Sequence, residues 1–65
     1  MKVYVVTKSP IFGKEEYVTV KASRKEAEKY MRAEWPHMRK DSARDNIYIA
    51  DAKNDLLLYI REELI

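Results

Sequence analysis

Sixty-five residues carry 13 Lys and Arg against 11 Asp and Glu, with one His and a net charge of +2. A chain this short makes one domain, near the lower limit for folding without a staple. It has no cysteine, which excludes disulfides and thiolate metal sites as that staple. Stability has to come from a compact core or from a partner subunit.

Residues 2–8 are β-branched and aromatic with both alternating phases apolar, and are expected to form a central strand. Residues 9–14 are expected to be a loop, because Pro10 cannot donate to a ladder and Gly13 permits turn geometry. Ile11 and Phe12, apolar at its tip, form a secondary candidate contact. Residues 15–22 make a second strand, antiparallel to the first.

Ser23-Arg24-Lys25-Glu26 is a capping box, in which Ser23 accepts from the Glu26 N–H while Glu26 reaches back. Ala27, Tyr30, Met31, Trp35 and Met38 then recur at helical spacing, and Pro36 ends the helix. Trp35 is read as a core anchor. Residues 36–45 are polar, basic and aperiodic, so a loop or a short extra turn is expected.

Residues 46–52 form the third strand. Residues 56–65 admit two readings, since Leu57, Ile60 and Leu64 fit a helix. The strand reading is favoured because a two-residue turn at Lys53-Asn54 would pair Ile49 with Leu58, Ile47 with Ile60 and Tyr48 with Tyr59. The predicted fold is therefore α+β: an antiparallel four-stranded sheet with one helix packed on one face, order ββαββ. A C-terminal helix, giving ββαβα, is the alternative.

Side-chain parity then assigns the two faces. Val3, Val5, Val18, Val20, Ile47, Ile49, Leu58 and Ile60 are expected beneath the helix. Tyr4, Tyr17, Tyr48 and Tyr59 fall on the opposite phase with Val6, Ala50 and Leu57. The expected partner-binding surface is thus a tyrosine-rich open face: Tyr4, Tyr17, Tyr48, Tyr59 and Leu57. Tyrosine offers stiff contact area with a polar tip, and two copies packed sheet on sheet would bury it.

Charge is unevenly distributed: +1 over residues 1–20, +4 over 21–44 and −3 over 45–65. Lys25, Lys29, Arg32, Arg39, Lys40 and Arg44 form a candidate anion-binding set for a nucleotide-type molecule or a nucleic-acid backbone. An aromatic sheet could stack bases, but these cations are expected behind the sheet, where they do not assist stacking. No catalytic residues are identified. His37 has no partner by spacing and suits the helix exit, one Gly cannot cradle a phosphate, and Glu62-Glu63 face opposite sides of a strand. No metal site and no cofactor are expected. With no apolar run of membrane-spanning length and a strand pattern beginning at Met1-Lys2, the chain is expected to be soluble, without a signal peptide, and cytoplasmic.

The opening Met1-Lys2-Val3-Tyr4-Val5-Val6-Thr7, the helix start Ser23-Arg24-Lys25-Glu26-Ala27-Glu28-Lys29-Tyr30-Met31 and the closing Tyr59-Ile60-Arg61-Glu62-Glu63-Leu64-Ile65 carry a resemblance. In layout the chain resembles the small uncharacterised accessory proteins of phages and prophages of Gram-positive bacteria. That resemblance implies a non-enzymatic protein that binds and modulates or inhibits a host component, in a bacterial cytoplasm. It assigns no functional residues. The expected partners are a second copy and a host protein.

Overall fold

The computed structural model describes residues 1–10, 13–51, 53 and 55–65. Among them the chain forms β1 (Lys2–Pro10), β2 (Glu16–Lys21), α1 (Arg24–Glu34), β3 (Arg39–Lys40), β4 (Ile47–Asp51) and β5 (Leu56–Leu64). One antiparallel sheet holds all five strands in the order β2-β1-β5-β4-β3, so the small α+β class stands. The sheet has five strands where four were expected. The extra one, β3, falls in the stretch expected to be loop and pairs Arg39 with Ile49 and Lys40 with Tyr48.

Strand β1 runs to Pro10, past the expected loop boundary. Its pairing with β2 ends at Lys8, so beyond that point it is an edge on that side, where proline is tolerated. The final segment is strand throughout, which sets the C-terminal helix aside. It lies between β1 and β4, and the termini clasp each other: the Met1 ammonium donates to the Ile65 carbonyl at 2.9 Å and the Ile65 N–H returns to Met1 at 2.8 Å.

Helix α1 starts with one half of the expected capping box, the Ser23 hydroxyl accepting from the Glu26 N–H at 3.2 Å, without a return bond from Glu26 among the described residues. It ends at Trp35, whose N–H bonds the Met31 carbonyl, and the Met38 N–H then bonds Trp35 to tuck Met38 into the core. Ala27 and Met31 are fully buried against Val6, Leu58 and Ile60 of the sheet. Met31, Val6, Leu58 and Ile60 each contribute roughly 1.5–3 kcal/mol by leaving water.

The expected facing is overturned in two of the strands and partly in a third. Tyr48 is 2% exposed and Tyr4 packs against the core, both on the helix side with Val6 and Ala50. Val3, Val5, Val20, Ile47 and Ile49 lie on the opposite side, by alternation and by their pairing with Glu63, Arg61, Val5, Tyr59 and Leu57. Only Leu58, Ile60 and Val18 keep their expected place beneath α1.

For β4 the cause is a bulge. Asp51 opposite Leu56 is the register that the expected two-residue turn would give, although Asp55, which that turn would leave extended, has φ 53°. Between Asp51 and Ile49 the ladder shifts by one residue, so that Tyr48 meets Leu58 rather than Tyr59. A one-residue slip sends every side chain to the other face. A second bulge makes Val18 an extra residue in β2: Thr19 pairs with Val6 and Tyr17 with Thr7. Asn54 of the expected turn lies outside the described residues.

Candidate interaction surface

The side of the sheet away from α1 is apolar in its own right. Val5 stands between Val20 and Arg61, Tyr59 between Thr7 and Ile47, and Leu57 between Ser9 and Ile49. An antiparallel sheet with one wet face normally alternates apolar and polar residues. Here β4 reads Ile47-Tyr48-Ile49-Ala50 and β5 reads Leu56-Leu57-Leu58-Tyr59-Ile60, apolar on both phases.

Two devices limit the exposure. The chain leading into β2 folds over one end, with the Thr7 hydroxyl donating to Glu15 and the Ser9 hydroxyl to the Gly13 carbonyl at 3.3 Å, so Thr7 and Ser9 are buried. Toward the opposite end Arg61 and Glu63 neutralise each other at 2.6 Å. Between them remain Val3, Val5, Val20, Tyr17, Tyr59, Ile47, Ile49 and Leu57; Tyr17 is 67% and Val20 40% exposed, and the rest are half-buried.

The expected tyrosine set is therefore divided. Tyr17, Tyr59 and Leu57 belong to the open face, while Tyr4 and Tyr48 do not. Tyr4 donates to Glu62 at 3.3 Å beside Lys2, and Tyr48 is an anchor for the helix. Its hydroxyl donates to Glu28 at 2.7 Å; Glu28 pairs with Arg24 at 3.5 Å, and Arg24 donates to Asn46 and to the Asp45 carbonyl. Burial, then the bond to Glu28, pushes the Tyr48 phenol above its ordinary pKa. Burial works to lower Arg24, but the neighbouring Tyr48 oxygen and the Glu28 carboxylate outweigh it and raise its pKa. The aliphatic members of the open face, Val3, Val5, Val20, Ile47 and Ile49, were missed because they were assigned to the core.

The six basic residues do not converge. Lys25, Lys29 and Arg32 are exposed along α1, Arg39 and Lys40 sit on the β3 rim, and Arg44 is exposed in the following loop. Lys40 is paired with Asp45 at 3.5 Å. Arg39 and Lys40 line one cleft with Ile49, and Lys29 lines another with Lys21 and Tyr30. His37 is exposed in a third cleft of about 530 Å³, with Trp35 and Ala50. Trp35 packs against the core, as expected.

Among the described residues, no group of three or more His, Asp or Glu side chains is placed to hold a metal ion. No helix formed by them is long and apolar enough to cross a membrane. Ile11 and Phe12, the secondary contact expected from sequence, lie outside the described residues. No family model matches the chain, and no curated protein or solved structure is significantly similar to it.

Proposed function

We propose that the chain is a non-enzymatic interaction protein that self-associates through the sheet face left bare by its helix. The observation that carries this reading is the two-sided apolar pattern of β1, β4 and β5, which suits a sheet covered on both faces. One helix covers one face only. The other needs a second layer, and a second copy offers a matching one by symmetry.

Area supports the match. Strands of up to nine residues at about 3.4 Å, and five strands at about 4.8 Å spacing, give a face of roughly 30 by 20 Å. Because the strands are nine, six, two, five and nine residues long, the filled part of that face is on the order of 500 Å² per partner, at the small end for a contact between copies. Charge opposes it little: Arg61 and Glu63 are already paired within one copy, and Arg39, opposite Ile49, stands on the outermost strand at the rim of the face.

Sedimentation equilibrium at micromolar concentration tests the reading. Tyr59, central on this face, is replaced by Lys, with circular dichroism confirming that the variant folds. The expected result is an assembly larger than the 7.8 kDa chain, reduced in mass by Tyr59→Lys. A wild-type protein that sediments as 7.8 kDa at high micromolar concentration refutes self-association and leaves the face to a different protein.

A further inference from the structure

Strand β2 forms one rim of the sheet and has a neighbour, β1, on one side only. Its sequence, Glu16-Tyr17-Val18-Thr19-Val20-Lys21, has an arrangement that the bulge creates. In a regular strand, residues three apart point to opposite faces. Here Tyr17 pairs with Thr7 and Val20 with Val5, and these β1 residues share the open face. Glu16 pairs with Lys8 and Lys21 with Tyr4, which share the helix face. The extra residue, Val18, thus puts Tyr17 and Val20 on one side and Glu16 and Lys21 on the other.

We infer that this rim pairs antiparallel with the same rim of a second copy, about a two-fold axis between Val18 and Thr19, continuing the sheet across the seam. Rotation about that axis sets Glu16 against the partner's Lys21 and Lys21 against the partner's Glu16, both on the helix side. It sets Tyr17 against the partner's Val20 on the open side. Opposite charges and aromatic–β-branched pairs are the cross-strand partners that stabilise antiparallel ladders. Tyr17 and Val20, 67% and 40% exposed in the single chain, are covered by the same rotation.

The rim is otherwise undefended. It contains no proline, and its charges stand at the two ends rather than in the middle, where a lysine would block an approaching strand. A bulge commonly bends an edge away from pairing. This one lies on the two-fold axis opposite its own copy, so the two bends coincide. Lys21 sits 5.1 Å from the Tyr30 ring centroid, in a groove that Lys29 also lines. Glu26 lines the same groove, so two cations and one carboxylate stand beside the position to which the partner's Glu16 is brought.

Tyr17 and Val20 border both the seam and the face contact proposed above, but the seam's charge pairs are separable from that contact, because Glu16 and Lys21 point away from the open face. Charge reversal tests it at low salt in the Tyr59→Lys background, which disables the face contact. Glu16→Lys presents two lysines per rim and Lys21→Glu two glutamates, so each variant alone is expected to dimerise about tenfold more weakly than its parent. Mixing the two in equal amounts brings lysines opposite glutamates in both seam positions and is expected to restore the dimer as a heterodimer, visible by native mass spectrometry. The double swap Glu16→Lys/Lys21→Glu is expected to self-pair like the parent. Single variants that sediment like the parent, or a mixture that forms no heterodimer, overturn the seam. Loss of mass on Tyr59→Lys alone bears only on the face contact.

Discussion

Tyr48→Phe isolates the bond that ties helix to sheet. The substitution keeps the ring beneath α1 and removes one hydroxyl, so the core volume barely changes. What is lost is the 2.7 Å hydrogen bond to Glu28. Hydrogen bonds to charged groups contribute about 1.5–3 kcal/mol. The Glu28 side chain is 33% exposed and keeps Arg24 at 3.5 Å, so water and arginine recover part of that loss. A cost of about 1–2 kcal/mol remains, which lowers the melting temperature of a domain this size by roughly 4–15 °C. The pH dependence carries a second signature. Because Tyr48 has a raised pKa in the folded state, the unfolded chain ionises first as pH climbs past about 10. The stability this residue adds is present below that pH and is lost as pH rises through the folded value. Urea melts of wild type and variant at pH 7 and above pH 10 should show a gap that shrinks at the higher pH. A variant as stable as wild type at pH 7, or a gap that holds constant, refutes the anchoring role.

The neighbours Leu58 and Leu57 should respond in opposite ways. Leu58 is fully buried in the core, so Leu58→Ala is expected to cost about 2–5 kcal/mol and to leave little folded protein by circular dichroism at 37 °C. Leu57 is half-buried on the open face, and Leu57→Ala should cost the fold about 1 kcal/mol or less while weakening self-association in sedimentation. At the helix start, Ser23→Ala removes the acceptor of the Glu26 N–H and is expected to cost about 1 kcal/mol in a urea melt.

Much of the fold was legible, because the signals that set it are local. The capping Ser23, the spacing of Ala27 and Met31 and the stop at Pro36 place α1 to within about a residue. Aliphatic pairing also favoured β5 as a strand. That the sheet would be apolar on both faces could be read as well, since no phase of β1 or β4 is polar. Which residues occupy which face could not. The expected register survives only at Asp51 opposite Leu56; Ile49 meets Leu57 and Ile47 meets Tyr59, and nothing in Ile49-Ala50-Asp51 announces that the ladder will slip there. Val18 gives no more warning in β2.

The choice between faces rests on polar groups rather than on the aliphatics. Val3, Val5, Ile47 and Ile49 do not decide the choice, because the other phase of β1 and β4 offers Tyr4, Val6, Tyr48 and Ala50 to bury in their place. Tyr48 is not indifferent: a buried phenol needs a partner, and only the helix side offers one, Glu28, already held by Arg24. Arg61 and Glu63 make a weaker opposite demand, since on the open side they pair with each other near water. The observed register meets both demands, and a slip of one residue in β4 is what makes them compatible. An arrangement chosen by its polar members leaves a row of aliphatics outside. That row is the reason this small sheet has a surface to offer.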